Sequence, residues 1–343
     1  MEPRDNHETL RPNEGAVAMA AAARTSTSAS PIGRKVPDLT VVHQTGRPDL
    51  AEVFVVEMDG KFVELVDGTD GVLPKQDKWV INVSTQFGCP VGCPYCDAGG
   101  GFKGNLTSDQ ILDQVRWVLG RYPERLAADC GKLKVHFSRM GEPALNDALL
   151  EALVQLRTEA PWPGVWACLA TTAPRNRAGW FEDLRRIKSE LFPGRFQLQF
   201  SMNSTSEDQR KHLVPIPHWS FQEIAAYGQR FFEPGDRTIV LNFALAQDVE
   251  FDPDKLAPIF SPDRFAVKLT PINPTARGRS NGFETLLRSQ AESRLDEAVE
   301  RLERLGYQVV ISVGDPGEDE IGSNCGQAVT AMLAQDYPAS ALS

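Results

Sequence analysis

From Trp79 onward, short apolar runs of strand length alternate with longer stretches whose apolar residues recur at helical spacing. Nothing else in the chain restricts its fold as strongly. The strand-like runs are 79–84, 133–137, 165–171, 196–201, 238–245, 265–269 and 308–312, and the amphipathic stretches are 108–119, 145–157, 177–191, 221–232 and 290–305. Parallel strands need long crossover connections, which helices supply, so the alternation predicts an α/β fold built as a partial or full (β/α) barrel. In such barrels chemistry gathers at the carboxyl ends of the strands.

Ahead of the barrel, Val53-Phe54-Val55-Val56-Glu57-Met58 and Lys61-Phe62-Val63-Glu64-Leu65-Val66 flank Asp59-Gly60. An Asp-Gly between two apolar runs is a strong hairpin signal. Residues 1–38 mix Ala, Ser, Thr, Pro and Gly without periodicity. They offer little apolar surface to offset ordering entropy and are expected to be disordered. The expected organisation is therefore a disordered segment 1–38, a small β extension 39–75 and a core 76–343. The alanine run 16–23 is short and follows an acidic opening, which does not read as a signal peptide. No apolar stretch is long enough to span a bilayer, so no membrane partner is expected and the expected location is the cytoplasm. A net charge of −10 argues against wholesale wrapping of nucleic acid but leaves room for a local basic patch.

Three of the six cysteines, Cys89, Cys93 and Cys96, fall within eight residues directly after the first barrel strand. Three thiolates on one compact loop can ligate three irons of a cubane and leave the fourth open. A ferredoxin-type site uses four cysteines and a structural zinc site four N or S ligands. No histidine or fourth cysteine lies nearby to complete either. Cys130 and Cys168 sit among apolar or small residues and read as inert packed thiols.

The C-x3-C-x2-C spacing, with Tyr95 before the last cysteine, resembles the radical S-adenosylmethionine superfamily. Further motifs narrow the resemblance to the RlmN/Cfr family of ribosomal-RNA adenine methyltransferases. They are 83–89 with Asp97-Ala98-Gly99 and Asn105-Leu106-Thr107; Met140-Gly141-Glu142-Pro143; Ser201-Met202-Asn203 with Arg210 and 213–216; Pro271-Ile272-Asn273-Pro274; and Asn324-Cys325-Gly326-Gln327. They occur in the family's order across residues 55–331 or so. The resemblance implies a barrel of radical S-adenosylmethionine type and a [4Fe–4S] cluster on Cys89, Cys93 and Cys96. It implies S-adenosylmethionine held by Gly141, Glu142, Ser201, Met202, Asn203 and Asn273. It also implies a methyl-carrying Cys325, which a helix N-terminus beginning there would favour as thiolate. Glu64 matches a family glutamate implicated in acid/base work; a solvent-facing strand glutamate is the other reading. A flavodoxin-like reductant and an RNA substrate, rRNA or tRNA, complete what the likeness implies.

The chain also departs from the family pattern. Asn82 stands seven residues before Cys89, where the family has a second cysteine that helps to resolve the enzyme–substrate crosslink. An amide is neither a thiolate base nor a disulfide partner. Arg139 replaces a glycine, Ala170 a serine and Asn203 a histidine. Two readings result: a methyltransferase acting on an adenine carbon of RNA through Cys325, or a relative that methylates a small aromatic or peptide metabolite. A cluster-containing binding protein that no longer turns over is a third.

Overall fold

The Asp59-Gly60 turn takes positive φ at both residues, 51° and 68°. That twist matches paired antiparallel strands, and it joins β2 (Ala51–Met58) to β3 (Lys61–Gly68). The computed structural model describes residues 37–69, 73–272, 275–284, 291–312 and 326–336. The segment 1–38 expected to be disordered lies, apart from its last two residues, outside them.

A strand that the alternation did not reveal, β1 (Thr40–Arg47), pairs with the outer side of the hairpin. On its inner side β3 pairs antiparallel with β4 (Trp79–Val83), so the extension continues the main sheet. A two-stranded hairpin, β5 (Gln86–Cys89) and β6 (Gly100–Asn105), then frames the cysteine loop. Helix α1 (Ser108–Gly120) starts at a capping box of Thr107 and Gln110 and is followed by a short α2 (Glu124–Ala128). The remaining core runs β7 (Leu133–Phe137), α3 (Ala148–Glu159), β8 (Val165–Thr171), α4 (Ala178–Leu191), β9 (Phe196–Ser201), α5 (Glu207–Leu213), α6 (Phe221–Phe231), β10 (Ile239–Leu245), β11 (Phe265–Pro271), α7 (Ala276–Ser280), α8 (Ala291–Arg304), β12 (Val309–Ile311) and α9 (Gln327–Asp336).

The main sheet has the order β1-β2-β3-β4-β7-β8-β9-β10-β11-β12, and every pairing from β4 to β12 is parallel. Among the described residues β12 does not pair back onto β4, so the sheet forms a partial barrel. Strands covered on both faces usually read as continuous apolar runs. Here one face alternates out of the core. In β7, Leu133, Val135 and Phe137 are buried under the helices, whereas Lys134 and His136 are half-buried on the other face. The same alternation in β9 places Gln197, Gln199 and Ser201 on that inner face. The helices therefore seal one side of the sheet, and the other side lines a polar lumen below the carboxyl ends.

Candidate active site

The cysteine loop is a succession of tight turns. The Cys96 amide donates to the Cys93 carbonyl at 3.3 Å, and the Gly99 amide to the Cys96 carbonyl at 2.9 Å. Gly88, at φ 74°, is irreplaceable by geometry: a Cβ there would lie 2.6 Å from the Gly101 carbonyl oxygen. The loop is fastened from 180 residues away by the start of α7. Thr275 Oγ1 donates to the Tyr95 carbonyl at 2.7 Å, and the Ala276 and Arg277 amides donate to the Asp97 carboxylate at 3.1 and 2.8 Å. The Arg277 guanidinium caps the Gly99 and Gly92 carbonyls at 2.7 and 3.2 Å, and Asn281 Nδ2 the Pro94 carbonyl at 2.8 Å.

Cys89, Cys93 and Cys96 are half-buried. Burial pushes the thiol of Cys89 up to about 12 and that of Cys93 to about 11, and the nearby Glu142 carboxylate adds to both. Thiolates in such a place need a bound cation, which a metal cluster provides. Among the described residues, no three His, Cys, Asp or Glu side chains converge as a single ion requires. A cubane asks for something else, since each thiolate binds its own iron. The loop's residues fit that group.

Glu142, buried behind the loop, accepts hydrogen bonds from the Thr171 hydroxyl, the Thr172 amide (2.7 Å) and hydroxyl (2.8 Å), and the Ala144 amide (3.1 Å). Burial raises its carboxyl despite these donors. Four donors match the carboxylate's acceptor capacity, so a ligand amino group here would displace a threonine hydroxyl. The preceding Gly141 has φ 107°, and a Cβ on it would meet Thr85 Oγ1 at 2.7 Å. Ser201 ends β9 on the lumen, Met202 is fully buried, and Asn203 holds a left-handed φ of 63°. Its Nδ2 donates to the Tyr95 hydroxyl at 2.6 Å, joining this turn to the cysteine loop. Such a conformation is costly for a non-glycine residue and concentrates at functional sites. Arg210, also buried, donates to the Thr172 carbonyl at 2.9 Å and the Trp219 carbonyl at 2.6 Å.

Glu64 is fully buried, which removes the solvent-facing reading. It pairs with Arg139 at 2.7 Å and accepts from the Gly326 amide at 2.9 Å and the Val329 amide at 2.8 Å. These amides open α9, where unpaired N–H groups favour an anion. Gly326 itself, at φ 82°, is pressed against the cysteine loop; a Cβ would lie 2.1 Å from the Ala98 amide nitrogen. Asn273, Asn324 and Cys325 lie outside the described residues.

Asn82 faces the lumen from β4 and accepts from the Ser138 hydroxyl at 3.3 Å. Neither remaining buried cysteine stands close to it. Cys168 is two strands away in register, through His136, about 10 Å at ordinary strand spacing. Burial pushes its thiol up to about 11. Cys130 lies just before the amino end of β7, where its Sγ contacts the Lys75 carbonyl at 3.1 Å.

With this geometry the comparisons with known proteins agree. The chain is 31% identical over 278 residues to the probable dual-specificity RNA methyltransferase RlmN of Frankia alni, covering 78% of this chain and 62% of that protein. The chain is thus similar to RlmN proteins over most of its own length. The corresponding protein of Corynebacterium efficiens is 28% identical over 82% of this chain and 76% of its own length. The fold matches that of a radical SAM methyltransferase from Sphaerobacter thermophilus, with a TM-score of 0.66, 22% identity, and coverage of 84% and 81% of the two chains. No family model matches. The chain thus spans about three fifths of the first RlmN relatives' length, 62% for both Frankia proteins.

The structure brings Glu64, Gly141, Glu142, Met202, Asn203 and the three loop cysteines into one connected region. Thr275, Arg277 and Asn281, which hold the loop, were missed by sequence reasoning. They bond to backbone carbonyls, an interaction that leaves no signature in the partner's residue type.

Proposed function

We propose that the chain is a radical S-adenosylmethionine methyltransferase that methylates an adenine carbon of RNA, rRNA or tRNA, by way of a methylated Cys325. The observation that carries this reading is the seat of Gly326. Its backbone is packed on Ala98 and its amide is held by Glu64, which seats the residue that follows Cys325 in the sequence against the cysteine loop, more than 200 residues upstream.

Cys89, Cys93 and Cys96 would hold a [4Fe–4S] cluster, which when bound supplies the electron that cleaves S-adenosylmethionine to a 5′-deoxyadenosyl radical. The chain's own part is positional. Gly141 lets the backbone pass close to Thr85 and Gln86, the strained Asn203 turn reaches the loop through its side-chain bond to the Tyr95 hydroxyl, and Glu142 offers a buried carboxylate for an amino group. Ser201, Met202 and Asn273 complete the cofactor-contacting set. Glu64 anchors the start of α9 through the Gly326 and Val329 amides, and Arg139 neutralises it. Asn82 can neither deprotonate an adduct nor form a disulfide, so product release runs through another group. A flavodoxin-like protein is the proposed reductant. No described helix is long and apolar enough to cross a membrane, and the cytoplasm is the proposed location.

The polar lumen beside Ser201 and the −10 net charge favour a second reading, a small-molecule acceptor. The test is to incubate reconstituted, reduced protein with methyl-labelled S-adenosylmethionine and either total RNA or an RNA-free metabolite extract. Label in RNA adenine is expected. Label confined to metabolites would replace the RNA reading with the second, and label in neither would overturn both.

A further inference from the structure

The inner face of the sheet lines a cavity of about 350 Å³ below the cysteine loop, with side chains from β4, β7, β8, β9 and β11. Register aligns its floor. Asn82 pairs with His136, His136 with Cys168, and Cys168 with Gln197, one row across four strands. A second tier brings Gln199 and Ser201, and Lys268 enters from β11 opposite Asn242.

Its charge has one sign. Among the described residues no carboxylate lines the cavity. Apart from burial, the groups acting on His136 are the cations Lys134, Lys268 and Lys78; those acting on Cys168 are Lys134, Arg237 and Lys132. Lys268 likewise feels Lys134. Among the described residues, a chain with ten more acidic than basic residues sets these cations around one cavity and no acid in its lining. A buried cation without a counter-charge is costly, and the cost falls when an anion enters. The wall also carries neutral donors: the amides of Asn82 and Gln199 and the hydroxyl of Ser201.

We propose that this lumen binds a phosphomonoester. Lys268 and the field of Lys134 offset a dianion, while His136, Asn82 and Gln199 donate to its oxygens. A cavity of about 350 Å³ holds a terminal phosphate group and part of its ester. The inference does not depend on the radical chemistry, so it and the methyl-transfer reading fail separately.

Isothermal titration of the full-length chain with inorganic phosphate, 5′-AMP and adenosine tests it. Phosphate and AMP are expected to bind saturably, with adenosine at least ten-fold weaker than AMP. Lys268→Met should weaken phosphate and AMP ten-fold or more, about 1.4 kcal/mol. Binding of phosphate without AMP upholds the site and assigns it to a phosphomonoester other than a nucleotide. Saturable binding by neither phosphate nor AMP, adenosine bound as tightly as AMP, or unchanged affinity in a folded Lys268→Met, overturns it. Should Lys268→Met not fold, the wild-type ring resonance of His136, assigned with His136→Gln, decides. It must shift on titration with phosphate, and an unmoved resonance overturns the proposal.

Discussion

Replacing Glu64 with glutamine separates its anchoring from any role in proton transfer. The carboxylate is fully buried, and its partner Arg139 is only 4% exposed. Glutamine keeps the shape and one carbonyl oxygen, so it can still accept from Gly326 or Val329. What it cannot do is neutralise Arg139. Removing one partner of a buried ion pair costs about 3–5 kcal/mol, because the other charge stays buried. The weakened bonds to the two α9 amides add about 1 kcal/mol. Adding Arg139→Met removes the charge that Glu64 offsets, so the double variant should recover part of the loss, a coupling that neighbouring sites in one network are expected to show. Urea denaturation of the wild type, the two single variants and the double variant measures each term. Amide exchange should rise at Gly326 and Val329 in Glu64→Gln before it rises in the strands. A loss below about 1 kcal/mol, or a double variant no more stable than Glu64→Gln, would refute the anchoring argument.

Further outcomes follow from the loop and the lumen. Any one of Cys89→Ala, Cys93→Ala or Cys96→Ala should abolish the visible iron–sulfur absorption after reconstitution while leaving far-ultraviolet circular dichroism unchanged. Arg277→Met removes the bonds to Gly99 and Gly92, each worth about 1.5–3 kcal/mol for a charged donor. Iron bound per chain should fall while the global urea midpoint moves little, because α7 is a peripheral five-residue helix. Burial and the surrounding lysines hold the His136 imidazole down at about 3. A depressed native value means the unfolded chain takes up the proton first, so this contribution is complete above about 6.5 and is lost as pH falls toward 3. His136→Gln should therefore flatten the acid limb of the stability–pH curve, and an unchanged limb would show that His136 is not the group responsible.

The parallel core was legible because each strand keeps one apolar face: Leu133, Val135 and Phe137 signal β7 whatever lies between them. The same reading passed over Lys134 and His136, whose position on a lumen depends on how the sheet curves. Strand β1 and the hairpin β5–β6 were missed for a different reason. Thr40–Arg47 alternates exposed with half-buried residues, and Gly100–Asn105 carries three glycines, so neither shows an apolar run. At the site, spacing alone put Cys89, Cys93 and Cys96 on one loop, and the structure has them there. Glu64 could not be placed from its strand, because β3 is buried on both faces through its middle. The Thr171–Thr172 cradle of Glu142 and the Arg277 clamp arise from contacts 29 to 185 residues apart. Only the folded chain shows them.

The account rests on residue 325 carrying carbon between cofactor and substrate. Anaerobic incubation of reduced, reconstituted protein with methyl-labelled S-adenosylmethionine, followed by mass spectrometry of the Cys325 peptide, tests that directly. The account predicts label on the Cys325 sulfur and its loss when the acceptor is added. An unlabelled Cys325 in protein that releases 5′-deoxyadenosine would contradict it.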